Sequence, residues 1–450
     1  MKFVSTRGHP DRPTFYDVLL GGLAPDGGLY LPESWPQVEV GSTYPQTVAN
    51  ILAPFLAGSP LEEAAAELAA DAYAGFRHPE VAPLRQLSDG RLLLELFWGP
   101  TLSFKDHALQ MVGRLFESAL SGRVTVLVAT SGDTGSAAIA ACQGAHHMDV
   151  VVLYPKGRVS DFQRRQMTTV ADPNVRAVAV EGTFDDCQEL VKRAFADERL
   201  AVDLTAMNSI NFARIAVQAG YYLWAASQIP GTDFVVPTGN FGNVFSGWAA
   251  GQMGASIGQL VIATNANHGL FDWVESGVLA PGKVMPTLAP SMDIQVPSNL
   301  ERYLFELADR DPKAVEEWQR QLRVSGRIEL PGPLHKEAAT AFVSSWFDDS
   351  QILSGIRRVL EIEGILLDPH TTVAWLSGLD HRRPGVDQVV LATADPAKFS
   401  AAIVAATGIE PALPAGFAHI LTDPERLHSI PNDYDALVGI LSDQEEGSIE

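Results

Sequence analysis

A chain of 450 residues exceeds what one ordinary hydrophobic core serves, so two or three domains are expected; with 46% apolar and 19% charged residues it is globular rather than disordered. A formal charge of -22 at pH 7 argues against nucleic acid and anionic membranes, which are bound by surplus Lys and Arg, and no apolar run approaches the ~20 residues of a membrane helix. Cys142 and Cys187 are too few for a disulfide framework, and no HExxH or Cys/His cluster occurs, so no metal site is expected.

The opening MKFVSTRGHPDRPTF has basic residues but no apolar core of a signal peptide, which makes the cytoplasm the expected location. Residues 1–90 combine a turn-rich stretch, Gly21 to Pro36, with an alanine-rich amphipathic helix from Leu61 to Ala74, and read as an accessory N-terminal domain. From Arg91 onward short apolar runs alternate with helical stretches: LLLELF, VTVLVAT, DVVVLYP, VRAVAV, DFVVPTG, LVIAT and QVVLAT. Strands spaced by helices predict a mostly parallel α/β sheet. The domain reading is a large α/β domain over 91–109 and 206–400, a small one over 110–205, and a C-terminal segment over 401–450. An insertion is expected around 266–355, Pro-, Gly- and Ser-rich from Phe271 to Pro297, then charged and helical from Asp309 to Ser354. The acidic tail after Asp423 reads as a solvated, partly frayed terminus.

The first chemically informative stretch is Phe97 to Glu117, FWGPTLSFKDHALQMVGRLFE. Ser103 is a candidate N-cap for a helix through Glu117, which sets Lys105 at the helix start, where the dipole disfavours a cation. A surface lysine is the commoner fate of such a position. The alternative is a lysine kept neutral enough to attack an aldehyde cofactor.

Val124 to Gln143 reads as a buried strand, a Gly-broken loop and an Ala-rich helix; Thr130, Ser131 and Thr134 add hydroxyls to a loop already suited to anions. An ordinary capped turn would look the same. Phe234 to Ala250 repeats the scheme, with Gly239, Asn240, Phe241, Gly242 and Asn243 between strand and helix. Neither loop is a Walker A or GxGxxG motif, so nucleotide binding is not indicated. Between them, NSINFARIAVQ spaces Asn208, Asn211 and Arg214 so that they can share one helix face. With so negative a chain, any phosphate must be attracted locally, by such N–H groups, hydroxyls and single basic side chains.

Taken together and in this order, GPTLSFKDHALQ, ATSGDTGSAAIAA, NSINFAR, PTGNFGN, LAPSMDIQVPSNLERYLF, DPHTTVAW and TADPAKF closely resemble the long-chain threonine synthases of bacteria and fungi. FVSTRG and GLAPDGGLYLP near the start match the same family, and the resemblance runs from Met1 to Phe399. It implies a fold-type II pyridoxal 5'-phosphate enzyme, similar to tryptophan synthase beta, with two open twisted sheet domains. It implies further that Lys105 binds the cofactor, that Gly239, Asn240, Phe241, Gly242 and Asn243 cradle its phosphate, that Thr393 meets the pyridine nitrogen, and that Asp133 lies near the ring oxygen. Thr130, Thr134, Asn208 and Arg214 match positions that hold the substrate phosphate, and Ser131 lies in the loop expected near its carboxylate. Two residues depart from the family pattern: Phe3 stands where tyrosine is common, and Asp395 where histidine is expected.

The activity so implied turns O-phospho-L-homoserine and water into L-threonine and phosphate, by elimination at Cγ and water addition at Cβ. The alternative is a phospho-lyase using the same lysine to give 2-oxobutyrate, ammonia and phosphate. Serine dehydratases and cysteine synthases share the lysine and a glycine loop but have no need of NSINFAR. A non-catalytic small-anion or amino-acid binding protein is the reading from another class, and intact Lys105 with both loops speaks against it. The expected partner is a small molecule, with monomer and homodimer both open.

Overall fold

The seven apolar runs named above all become strands, distributed over two sheets. The computed structural model describes residues 1–197, 199–200 and 202–442. Its chain divides into two compact units, residues 1–108 with 209–411 and residues 109–208 with those from 412 onward.

The first unit holds a six-stranded sheet in the order Phe342–Trp346, Ile257–Thr264, Thr232–Pro237, Gln388–Ala392, Leu92–Glu95, Leu84–Gln86. All pairings are parallel except the last, where Leu84–Gln86 runs antiparallel along one edge. Parallel strands must be covered on both faces, which is why these runs are apolar throughout instead of alternating. On one face Val235, Val261 and Val390 meet Ile352, Ile356, Val359, Val373 and Trp375 of the helices Asp349–Glu363 and Pro369–Asp380. On the other, Phe234 packs against Tyr222 at 5.0 Å between ring centroids, and Gly247 lets the helix Gly242–Gln252 approach Leu260.

Three neighbouring strands of this sheet determine the site. Thr232–Pro237, Gln388–Ala392 and Leu92–Glu95 lie side by side and parallel, so the loops after them leave from the same edge of the sheet. Those loops are Thr238–Phe241, Thr393–Asp395 and the stretch leading to Lys105. Carboxyl ends of parallel strands are where such sheets bind ligands.

Residues near the N-terminus pack into this unit through an aromatic cluster in which Phe3 faces Phe15, Phe55 and Phe212 at 6.0, 6.0 and 5.0 Å. Phe3 is fully buried, so a tyrosine hydroxyl here would need a buried partner, and phenylalanine has no such requirement.

The second unit holds a five-stranded, all-parallel sheet in the order His428–Pro431, Val175–Glu181, Met148–Pro155, Val124–Ala129, Leu204–Thr205. Its core joins Leu127, Val151, Leu153 and Val178 to Cys187, Leu190 and Ala194 of the helix Phe184–Ala196. Both cysteines are free and buried, packing as small apolar residues.

Two expectations need correction. The stretch Asp309 to Ser354 is not helical throughout: Phe342–Trp346 is a strand on the edge of the large sheet, a run of five residues too short to show against the helices beside it. The segment after Asp423 is not a frayed terminus up to Ser442. His428–Pro431 adds an edge strand to Val175–Glu181, and Tyr434, Leu437 and Leu441, spaced three and four apart on the helix Tyr434–Ser442, close the core of the second unit. The acidic end, residues 443–450, lies outside the described residues. Among the described residues no helix is long and apolar enough to cross a membrane.

Candidate active site

Lys105 opens the helix Lys105–Ala119, and Ser103 Oγ accepts its backbone N–H at 3.3 Å, as the sequence predicts. The turn before it folds around Asp106, whose carboxylate accepts the N–H and hydroxyl of Thr101 at 2.8 and 2.6 Å. Burial pushes the Asp106 carboxyl up to about 6, with the Thr101 bonds and nearby Lys398 acting in the opposite sense. Leu102 sits in the left-handed region at φ +62°, a strained conformation for a branched side chain. What holds it is the neighbouring loop: Phe104 N–H donates to Thr393 O at 2.9 Å, Asp395 N–H to Leu102 O at 3.1 Å, and Lys398 Nζ to Thr101 O at 2.6 Å. The lysine itself is 9% exposed, so the surface-lysine alternative is excluded. Its Nζ lies 3.4 Å from Ser291 Oγ.

The loop after Thr232–Pro237 comes close to the same serine. A Cβ on Gly239 would fall 2.4 Å from the Ser291 carbonyl oxygen, so only glycine allows the two backbones to approach. Phe241, at φ +64°, turns the chain into the helix Gly242–Gln252 and is anchored among Trp273, Tyr303 and Phe342. The two asparagines of this loop face the protein. Asn240 Oδ1 accepts from Ser298 N and Oγ, both at 2.7 Å, and its Nδ2 donates to Ser209 Oγ. Asn243 Oδ1 accepts from Tyr221 and Tyr222 hydroxyls at 2.6 and 2.9 Å. The backbone N–H groups at the helix start are what this loop offers an anion, while Asn243 Nδ2 is buried without a hydrogen-bond partner among the described residues.

Thr393 is held through its backbone, with its N–H on Thr371 Oγ1 at 3.0 Å and its carbonyl on Phe104. Asp395 caps the short turn Pro396–Phe399 through Ala397 N–H at 2.9 Å, and burial raises its carboxyl above the ordinary range. An aspartate at this position thus has a structural task of its own.

Arg214 is the third residue of the helix Phe212–Gln228 and is 3% exposed. Its Nε and Nη1 are buried with no hydrogen-bond partner among the described residues, and burial pulls the guanidinium down to about 10. A buried cation left without an anion is a costly arrangement that an anionic ligand relieves. The shared helix face expected for NSINFAR does not form. Asn211 is the N-cap, accepting from Ala213 N–H at 3.0 Å and donating to Leu19 O at 2.8 Å, and the helix starts only at Phe212. The strong N-cap preference of asparagine takes precedence over the spacing. Asn208 belongs to the second unit.

In that second unit the loop 130–134 is self-organised. Thr130 Oγ1 accepts from Gly132 and Gly135 N–H, each at 2.9 Å; Gly132 has φ +139°, and Asp133, buried at the first position of its helix, accepts from Gln163 Nε2 at 2.8 Å. Ser131 and Thr134 are half-buried beside it.

Within the first unit, then, the fold gathers Lys105, the Gly239–Gly242 loop and Thr393 on adjacent strand ends, with Arg214 on a helix whose Ile215 lies near Gly242. A pyridine aldehyde phosphate requires a buried amine, a backbone cradle for the phosphate and a polar group for the ring nitrogen, and this set fits it. Sequence reasoning missed Ser291, Asp368 and His370, all of which lie among these residues. The signal for Asp368 and His370 was the Asp-Pro of DPHTTVAW, an N-cap followed by proline at the first helical position; Ser291 had none.

The comparisons agree with this geometry. Residues 81–320 match the family model described as pyridoxal-phosphate dependent enzyme, residues 2–73 that for the threonine synthase N terminus, and residues 371–440 that for the threonine synthase C-terminal region. A threonine synthase of Pseudomonas aeruginosa is 43% identical over 96% of each chain. The PLP-bound threonine synthase of Brucella melitensis superposes with a TM-score of 0.94 at 41% identity over 98% of each chain. The yeast threonine synthase structure gives 0.91 at 35% identity over 100% of this chain and 99% of its own. The chain belongs to the threonine synthase family of pyridoxal-phosphate dependent enzymes.

Proposed function

We propose that this protein converts O-phospho-L-homoserine and water to L-threonine and inorganic phosphate. The observation that carries the reading is a nine-tenths buried lysine beside a glycine loop at a helix N-terminus, with an arginine in the same unit that lacks an anion. When bound, pyridoxal phosphate supplies an electron sink for the negative charge left at Cα and then at Cβ of the substrate.

The rest is the work of side chains and backbone. Lys105 Nζ would hold the cofactor aldehyde and, as a free amine, would take the Cα proton and later return it. The proton lost from Cβ leaves with the phosphate as the Cγ–O bond breaks, and Cγ then takes a proton from solvent and becomes a methyl group. Water places its hydroxyl on Cβ and returns its remaining proton to solvent. The N–H groups of Gly239 to Gly242 would hold the cofactor phosphate and Thr393 would meet the ring nitrogen. Arg214 pairs with the substrate phosphate. Asp133 near the ring oxygen, and Thr130, Ser131, Thr134 and Asn208 on the substrate side, have their roles from the family resemblance. A small-molecule substrate, a cytoplasmic location and no nucleic-acid or membrane partner complete the proposal.

The test is to incubate PLP-loaded protein with O-phospho-L-homoserine and measure threonine, phosphate and 2-oxobutyrate together. Equal amounts of threonine and phosphate are expected. Phosphate accompanied by 2-oxobutyrate and ammonia would replace this reading with the phospho-lyase.

A further inference from the structure

Ser291, in the short turn Pro290–Met292, meets the site with three groups. Its carbonyl oxygen closes on Gly239, its Oγ lies 3.4 Å from Lys105 Nζ, and its N–H donates to His370 Nε2 at 3.1 Å. Because Nε2 accepts, the proton of a neutral ring resides on Nδ1, which faces Asp368 Oδ1 at 2.8 Å. Asp368 is fully buried and also accepts the His370 N–H at 2.9 Å and the N–H and hydroxyl of Thr371. Thr371 Oγ1 in turn accepts the N–H of Thr393 at 3.0 Å. One buried carboxylate thus orients both the residue beside the lysine and the backbone of the threonine across from it.

Hydrogen bonds of this kind serve folding in any protein, and the N-cap role of Asp368 is by itself structural. What that role leaves unexplained is the hydroxyl at Lys105. A lysine amine on four methylenes rotates freely once released, and its lone pair must point at the proton it removes. A fixed oxygen accepting one of its N–H bonds removes most of that freedom.

We propose that Ser291 is a further catalytic residue, aiming the freed Lys105 amine at the substrate proton, and that His370 and Asp368 are positioning residues that hold Ser291 in place. The inference rests on the reading of Lys105 given above. Ser291 Oγ neither gains nor loses a proton in the cycle; the proton stays on Lys105 Nζ between its removal from Cα and its return.

The test compares PLP-loaded Ser291→Ala, His370→Ala, His370→Gln and Lys105→Ala with the parent protein. Ser291→Ala and His370→Ala should lower kcat about a hundredfold, the penalty of a misplaced reacting group. In Ser291→Ala, KM, cofactor affinity by titration and Tm should not move, and in both variants the kinetic isotope effect with Cα-deuterated substrate should increase. His370→Gln keeps an acceptor for Ser291 N–H and should recover most of kcat. Parental kcat in Ser291→Ala, a Gln variant no better than Ala, or cofactor affinity and Tm of Ser291→Ala falling in step with its kcat would each overturn the proposal. Failure of the underlying reading is separately visible: Lys105→Ala would then still carry cofactor that borohydride fixes to the chain.

Discussion

Arg214 is buried with two nitrogens that find no hydrogen-bond partner among the described residues, and the energetic consequence is direct. Desolvating a guanidinium without a partner destabilises the fold, and replacing it with an apolar residue of similar volume removes that penalty. Arg214→Met should therefore raise Tm while raising KM for the phosphorylated substrate. Inorganic phosphate should raise the Tm of the parent protein by mass action and leave the variant unaffected, both read by thermal melts at several phosphate concentrations. A variant less stable than the parent would mean that the arginine has a partner in solution. Gly239 is the second residue with a defined steric limit. In Gly239→Ala the new methyl meets the Ser291 carbonyl, so cofactor affinity should fall together with the geometry at Lys105, as seen by titration of the apoprotein with pyridoxal phosphate.

The helix Lys105–Ala119 carries two adjacent buried groups with opposite pH responses. Burial pushes His107 down to about 3, so the fold favours the neutral ring; its contribution is full above the ordinary histidine value of 6.5 and is lost as pH falls toward 3. Asp106 is raised to about 6, so the fold favours its protonated form; that contribution is full below 3.8 and is lost as pH rises through 6. Between about pH 4 and 6 the two slopes oppose each other, each weighing about 1.4 kcal/mol per pH unit at most. His107→Gln should therefore flatten the acid limb of the Tm profile, and Asp106→Asn should steepen it. At this scale the sequence was readable where an element had its own period or cap: the seven strands and the start of the lysine helix are present, and the Ala-rich helix forms over Ala65–Ala74, its expected first turn from Leu61 being non-helical. It was not readable where tertiary partners decide. Nothing local in FVSSW marks an edge strand, and the tail after Asp423 reads as solvated because its charges outnumber the apolar side chains that another sheet buries. The same holds for the candidate site: a lysine at a helix start and a glycine loop between strand and helix were legible as local structure, whereas Ser291 is brought to them by an insertion whose path no local pattern specifies.

Over the whole chain, the second unit depends on a segment far away in sequence. His428–Pro431 and Tyr434–Ser442 close a core begun at Val124, and Leu437 is fully buried against it. Leu437→Ala should cost about 2–5 kcal/mol, as truncations of buried leucines do. It should leave cofactor bound at Lys105 in whatever fraction stays folded, a combination that denaturant melts and absorbance distinguish. The first unit likewise brings together strands far apart in the chain, Leu92–Glu95 beside Gln388–Ala392, and Lys105 is the residue we propose as the point at which chemistry enters that framework. The measurement that bears on it most directly is borohydride reduction of the PLP-loaded protein, followed by proteolysis and mass spectrometry of the labelled peptide. The cofactor should be found on Lys105, within the peptide containing Thr101 to Asp106, and on no other lysine. Label on a different residue, or a reduced protein that carries none, would contradict the account.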